Sequence, residues 1–251
     1  MIAAIIQARM GSTRLPGKVL KRVNGIPMIQ YQVERVEKSK LIDKVIIATS
    51  RSQKDDQIVS FCQLNNISFY RGSENDVLSR YYCAAKEYKA DTIVRLTADC
   101  PLIDPIVIDN TVNLFNESKV DYASNTTPSE TSNFPDGSDV EVFSIQALER
   151  ANNEAIRQAD REHVTFYFWK YAEKNGFQTN QLSNTENWSK YRYTVDYSED
   201  LEVVKRIVSE LNKRNQFGEL GEIIQILKDY PEIYDLNSKY YFGIGWKYDS
   251  K

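Results

Sequence analysis

The chain has 251 residues, with 32 Lys and Arg against 35 Asp and Glu, and a formal net charge of −3. That near balance argues against a general nucleic-acid binder, which needs a large basic excess, and no apolar run approaches the roughly 18–20 residues of a membrane span. Hydrophobic content of 41% and charged content of 27% suit a globular chain with a sizeable core.

The apolar N-terminal stretch is short and has no positive region before it, so it reads as a first strand rather than a secretion signal, and the expected location is cytoplasmic. This strand covers residues 2–8. A loop punctuated by Gly and Pro follows over 9–18. Pro27 opens a helix carrying Met28, Tyr31, Val33 and Val36. Residues 44–49 form a second strand, with Ser52 as candidate N-cap of a helix through Ile58, Phe61 and Leu64. A third strand over 67–70, a helix over about 75–88 and a fourth strand over 91–97 come next. Pro105 starts another helix, with Asp104 before it as a cap. This alternation predicts an α/β fold: a parallel-type sheet with helices on both faces.

From Tyr122 the rhythm changes. Residues 125–138 form a long polar loop, the kind that is often functional. A strand is expected over 140–143, helices over 145–156 and 163–174, and strands over 177–182 and 192–195. Two further helices cover 198–211, with Leu201, Val204, Ile207 and Leu211 on one face, and 221–230, ended by Pro231. No repeat or linker interrupts the chain, so residues 1–251 read as one domain with a substrate and dimerisation subregion at about 122–190. The aromatics of the last stretch (Tyr234, Tyr240, Tyr241, Phe242, Trp246, Tyr248) suggest packing on the body or a partner.

Three scattered cysteines, Cys62, Cys83 and Cys100, and a single histidine, His163, argue against a disulfide framework and a structural zinc site. A hard cation on carboxylates is the expected metal. The most informative segment is the loop after the first strand. It carries Arg9, Arg14 and Lys18 with no acid among them, Gly11 and Gly17 for tight turns, and the hydroxyls of Ser12 and Thr13. Such a loop lies at the carboxyl end of the sheet, where ligands bind. Its guanidinium forks and N–H groups suit phosphate oxygens; a solvated basic turn is the bland alternative. Five residues, Ser12 to Pro16, separate the glycines, and Val19 follows Lys18, so the loop is not a Walker A motif. No GxGxxG is present either. Asp99 and Asp196 each stand where an apolar run stops. On neighbouring strands of similar polarity both carboxylates would reach the edge that carries the basic loop, as a Mg²⁺ pair. The alternatives are a turn acid before Pro101 and an acid beside a Ser198 helix cap.

IIQARMGSTRLPGKVL resembles the opening signature of the cytidylyltransferases that make CMP-activated acidic sugars, including the acylneuraminate and 3-deoxy-manno-octulosonate enzymes, and most closely their spore-coat polysaccharide branch. The likeness continues through RGSENDVLSRYY, RLTADCPLID, DGSDVEVFS, REHVTFY and YTVDYSEDL, over about residues 1–205. It implies a nucleotide-diphospho-sugar-transferase-like, Rossmann-type mixed sheet, Mg²⁺ dependence and a homodimer. It implies transfer of CMP from CTP to a sugar or sugar acid, with release of pyrophosphate, for surface glycan synthesis. By this resemblance Ala8, Arg9, Gly11, Ser12, Arg14, Lys18, Arg71 and Ser73 bind the nucleotide, Arg9, Lys18 and Asp99 carry catalysis, and Asp99 and Asp196 hold the metal. Asn125, Asp139, Glu141, Glu162 and His163 fall to the acceptor sugar. Asp139 and Glu141 alternate with Val140 and Val142 and so share a face; a solvent-facing edge strand is their plain alternative. A lone histidine such as His163 is more often a packed or capping residue, and the aromatics from Phe166 to Trp169 are core or interface. The chain departs from the best-known relatives at Thr97-Ala-Asp-Cys-Pro101 and over 122–143, which leaves the acceptor open. No dedicated general base stands out. A glycosyltransferase using a ready-made nucleotide sugar is the competing reading. It wants a DxD pair, and Asp136-Gly-Ser-Asp139 has the wrong spacing.

Overall fold

A run of four buried apolar residues, Ala3 to Ile6, makes β1 (Ile2–Gln7) an interior strand of a computed structural model that describes residues 1–241 and Gly243. Strands covered on both faces read as such continuous runs. After β1 the basic loop leads through a 3₁₀ turn (Lys18–Leu20) and a small hairpin, β2 (Arg22–Val23) with β3 (Ile26–Pro27), into α1 (Met28–Val36). Then come β4 (Lys44–Ser50), a 3₁₀ turn (Gln53–Asp55), α2 (Asp56–Leu64), β5 (Ser68–Gly72), α3 (Val77–Glu87), β6 (Thr92–Thr97) and α4 (Pro105–Ser118). The second half holds β7 (Tyr122–Ser124), β8 (Glu141–Ser144), α5 (Ile145–Glu154), α6 (Gln158–His163), α7 (Phe166–Trp169), α8 (Ala172–Asn175), β9 (Thr179–Gln181), α9 (Ser198–Arg214), α10 (Leu220–Asp229) and α11 (Pro231–Asp235).

One seven-stranded sheet runs β5-β4-β1-β6-β8-β7-β9. Only β8 opposes its neighbours; the other pairings are parallel. Alternate side chains of β1 feed two cores. Ala4 and Ile6 pack with α1, α2, α4, α9 and α10, through residues such as Met28, Ile58, Val107, Ile207 and Ile223. Ala3 and Ile5 pack with α3, α5 and α7, through Leu78, Tyr81, Leu148 and Phe168. Each fully buried side chain of this size contributes roughly 1.5–3 kcal/mol, so the helices hold both faces and leave the strand ends for loops. The α/β class, the mixed sheet and the two-sided cover follow the expectation. Asp104 caps α4 as expected, accepting from the Ile106 N–H at 2.8 Å. Its second oxygen accepts from the Leu220 N–H at 2.6 Å and so ties α10 to the same cap.

Three local expectations and one alternative fail. The helix expected over 163–174 is broken into α6, α7 and α8. Val164 sits at φ +61, uncommon for a β-branched residue, because the break points Val164 and Phe168 into the core. The strand expected over 192–195 forms only an isolated bridge from Arg192 to Asp136. The loop crowds it. Gly137 adopts φ +113, and a Cβ there would lie 2.5 Å from the Thr194 nitrogen, so only glycine lets these backbones meet. β8 is no edge strand: it lies between β6 and β7, with Glu141, Val142 and Phe143 buried. Ser52 provides no side-chain cap; Asp55 binds the Met10 N–H at 2.7 Å and the Ser50 N–H at 3.2 Å, so this turn docks the basic loop instead. The last described segment does pack on the body, Tyr234 edge-on to Tyr191 and Tyr240 stacked on Tyr197. Phe242, Trp246 and Tyr248 lie outside the described residues. Among the described residues no helix is long and apolar enough to cross a membrane.

Candidate active site

The loop after β1 is built by its own backbone. The Gly17 N–H returns to the Met10 carbonyl at 3.1 Å, and Gly17 at φ +67 turns the chain so that Lys18 starts the 3₁₀ turn. The Lys18 ammonium then reaches across the end of β6. Its Nζ lies 2.9 Å from Asp99 Oδ2, 2.9 Å from Asp196 Oδ1 and 2.8 Å from the Val195 carbonyl. Three donors meet three acceptors, and the lysine side chain is only 12% exposed. Burial pushes the Asp99 carboxyl up, but the Lys18 charge and the bonds from Thr97 and Lys18 overcome it and hold it down at about 2. Asp196 is shared further: Arg14 Nη2 donates to Oδ1 at 2.9 Å, and Arg192 Nη2 to Oδ2 at 3.1 Å. Arg14 also lies over the Tyr197 ring, 5.1 Å from its centroid.

These groups open onto a cavity of about 670 Å³. Arg9, Thr13, Arg14, Asp99 and Asp196 form part of its wall. Arg9 is exposed and makes no hydrogen bond or ion pair among the described residues. The rest of the wall comes from the β6–β8 pair, the polar loop and α6–α7: Arg95, Thr126, Asp139, Glu141, Glu162, His163, Phe166 and Trp169 among them. Arg95 and Glu141 are register partners across β6 and β8 and form a buried ion pair. The Tyr122 hydroxyl donates to the other Glu141 oxygen at 2.6 Å. Asp139 accepts from the Gly137 N–H at 2.8 Å and from the Thr126 hydroxyl at 3.1 Å. Burial, with Asp99 and Glu141 nearby, nevertheless lifts its carboxyl to about 6. His163 stacks on Phe166 with ring centroids 4.4 Å apart, so it is both packed and on the cavity wall.

The structure therefore brings Arg9, Arg14, Asp99, Asp139, Glu141, Glu162, His163 and Asp196 to one cavity, with Lys18 bridging two of its acids. It does not bring the other expected residues to that wall. Ala8 is buried, its N–H bound to the Ala48 carbonyl. Gly11 is off the wall, and the Ser12 hydroxyl accepts from the Leu15 N–H at 3.3 Å within the loop. Arg71 donates to the carbonyls of Ser50 and Ser52, both at 3.0 Å, and pairs with Asp56. Ser73 accepts from the Asp76 N–H at 3.0 Å. The Asn125 amide donates to the Ser138 carbonyl and accepts from the Val140 N–H, pinning the polar loop from within. Sequence reasoning passed over Arg95, Arg192, Thr126 and Trp169. Arg192 pairs with Asp136, Asp196 and Asp200 while only 5% exposed. For both arginines the available signal was a charge inside an apolar run.

Among the described residues no three His, Cys, Asp or Glu side chains stand together as a metal cage. The structure offers two carboxylates that already converge on a cation, the Lys18 ammonium. That donor set fits Mg²⁺, which takes one or two carboxylates and completes its shell with phosphate oxygens and water.

Over 93% of this chain and 96% of the other, the structure is similar to a cytidylyltransferase from Leptospira borgpetersenii serovar Hardjo-bovis, with a TM-score of 0.84 and 35% identity. In sequence the chain is 31% identical to the spore coat polysaccharide biosynthesis protein SpsF of Bacillus subtilis, across 92% of this chain and 95% of that one. It is 35% identical to a 3-deoxy-manno-octulosonate cytidylyltransferase of Geobacter metallireducens over a shorter stretch, 44% of this chain and 43% of that one. The cytidylyltransferase family model matches residues 3–228, nearly the whole length of the sheet and its helices, and the chain belongs to the cytidylyltransferase family.

Proposed function

We propose that this cytidylyltransferase binds CTP across the basic loop, with Mg²⁺ on Asp99 and Asp196, and transfers CMP to a hydroxyl of a sugar or sugar acid. The observation that carries the reading is the Lys18 ammonium between Asp99 and Asp196, beside the uncommitted Arg9 guanidinium. The names of the relatives, a spore coat polysaccharide protein and a keto-sugar-acid cytidylyltransferase, support a surface-glycan sugar as acceptor. The acceptor hydroxyl attacks the α-phosphorus of CTP. An oxygen–phosphorus bond forms, the bridge to the β-phosphate breaks, pyrophosphate leaves and the hydroxyl's proton passes to solvent water. Bound Mg²⁺ supplies charge neutralisation on phosphate oxygens. Arg9, Arg14 and Lys18 take up the charge on the departing pyrophosphate through charge-assisted hydrogen bonds. Asp139, Glu141, Glu162 and His163 face the sugar hydroxyls. The family resemblance adds a homodimer and a cytoplasmic setting; the exposed Ile156 beside the aromatic helices is the first place to test for an interface.

The test is pyrophosphate release from each of the four NTPs with Mg²⁺, across a panel of neutral, amino and acidic sugars. Release with CTP, dependent on a sugar of the panel, is the expected result. Equal release from every NTP, or none that depends on a sugar, overturns the assignment of CTP and sugar.

A further inference from the structure

In the free protein the two acids assigned to the metal are already engaged, and both are held by Lys18. Asp196 Oδ1 accepts from both Lys18 and Arg14, and its Oδ2 from Arg192. Asp99 Oδ2 accepts from Lys18, and the Cys100 thiol lies 3.7 Å from its Oδ1. The Lys18 ammonium has no donor to spare, since its third hydrogen bond goes to the Val195 carbonyl. A divalent ion cannot share this place. It draws its oxygens in to about 2.0–2.1 Å, whereas the lysine holds them at 2.9 Å, and a second positive charge there meets the ammonium head-on. Lys18 also cannot simply leave. Its side chain is 12% exposed, and a buried charge stripped of its partners is strongly destabilising. It can move only where new acceptors are supplied, and its flexible four-carbon stem permits that. In the basic loop Arg9, Arg14 and Thr13 offer the ammonium no negative charge, and of the acids elsewhere on the wall Asp136 and Glu141 are paired with Arg192 and Arg95, while Asp139 is held by Thr126 and the Gly137 N–H. Phosphate oxygens supply the missing acceptors.

We propose that Lys18 is a displaceable internal cation: it closes the Asp99–Asp196 pair to free divalent metal, so the chain takes the metal only together with a nucleoside triphosphate. This rests on the assignment of that pair to Mg²⁺ and of the basic loop to phosphate. Lys18 then has two successive sets of partners, carboxylates before binding and phosphates after it. The site selects the preformed metal–triphosphate complex over either component.

Electron paramagnetic resonance of Mn²⁺, titrated into the protein without nucleotide, tests this apart from turnover. The wild-type chain is expected to leave Mn²⁺ free, and Lys18→Met to bind it at least about ten-fold more tightly. The gain should vanish when Asp99→Asn is added. Lys18→Gln, which keeps a donor for the Val195 carbonyl, serves if Lys18→Met does not fold by circular dichroism. Equal Mn²⁺ affinity in the wild type and the lysine variant overturns the proposal. A second titration adds a CTP analogue with a non-hydrolysable α–β bridge to the wild type. Failure to recruit protein-bound Mn²⁺ there counts against the metal–triphosphate assignment itself, whereas the nucleotide-free comparison judges the lysine alone.

Discussion

The two parts of the cavity wall hold their charges in opposite ways. Around the basic loop, Arg9 is uncommitted and Lys18 and Arg14 sit on acids that lie at the cavity surface. Around β6 and β8, Arg95 and Glu141 neutralise each other inside the sheet, and Asp139 is held by neutral donors. The first arrangement is made to exchange partners when a polyanion arrives. The second is fixed before any ligand comes, and it presents a pre-set pattern of donors and acceptors. Charge that lies open or is shared at the cavity surface thus belongs to the first side, and charge neutralised in place to the second.

The largest expected effect breaks the fixed side. Arg95→Met leaves Glu141 as an unpaired buried carboxylate. It should cost about 3–5 kcal/mol of stability, read as a fall in urea midpoint, with no comparable loss for Arg9→Ala. On the exchangeable side, Asp99→Asn keeps the shape but not the charge a hard cation needs. Turnover should drop at least about 100-fold, roughly 2.7 kcal/mol of barrier, in a protein that still folds; a normal Mg²⁺ dependence of turnover would remove Asp99 from the metal. Arg9→Ala should lose roughly 10- to 100-fold in kcat/KM for CTP, the worth of a charge-assisted contact of about 1.5–3 kcal/mol. Its melting temperature should stay unchanged, since Arg9 binds nothing among the described residues. Wild-type kinetics in that variant would make the loop a plain basic turn.

The smallest effect contrasts two carboxyls by pH. Asp139 is lifted to about 6 from its usual 3.8, so its contribution is favourable below about pH 4 and is lost as pH rises through 6. Asp139→Asn should therefore raise stability at pH 7 by on the order of 1 kcal/mol after solvent screening, read as a higher melting temperature. The gain should shrink to nothing below about pH 4. Asp99, held at about 2, behaves in reverse: its contribution is present above pH 4 and is lost only as pH falls towards 2. A melting-temperature series from pH 4 to 8 that shows no gain for Asp139→Asn would sink the first half of this contrast.

Residues whose structure is set by near neighbours were readable in the sequence. The apolar run of β1, the glycines around Lys18 and the Asp104–Pro105 cap each specify a conformation within a few positions. The opening motif marked Arg9, Arg14 and Lys18 together, and the separate RLTADCPLID segment marked Asp99. What escaped depends on distant packing. The 192–195 stretch alternates like a strand, yet Gly137 brings the polar loop against it and takes its edge. The aromatics after His163 have helical spacing, but burying Val164 and Phe168 against α3 and α5 breaks the helix twice. Arg95 and Arg192 looked like ordinary strand charges because their partners, Glu141 and Asp136, lie 46 and 56 positions away. Asn125, given to the sugar from its place in the polar loop, and Arg71, given to the nucleotide by resemblance, have polar atoms that bind backbone groups of the protein's own loops.

The bridge from Lys18 to Asp196 spans 178 positions, and the buried Asn237 amide fixes the far end by binding the Arg192 carbonyl at 3.2 Å and Asp200 at 2.8 Å. During synthesis, which runs at about 5–20 residues per second, β1, β4 and β6 exist well before these partners do. Lys18 can meet Asp99 early, while Asp196 arrives only with α9, and its support only when residue 237 has been made. The nascent sheet thus carries a half-assembled charge cluster at its strand ends for several seconds. In that interval the lysine holds Asp99 alone, and the cavity lacks the wall that Arg192 and Asp196 later provide.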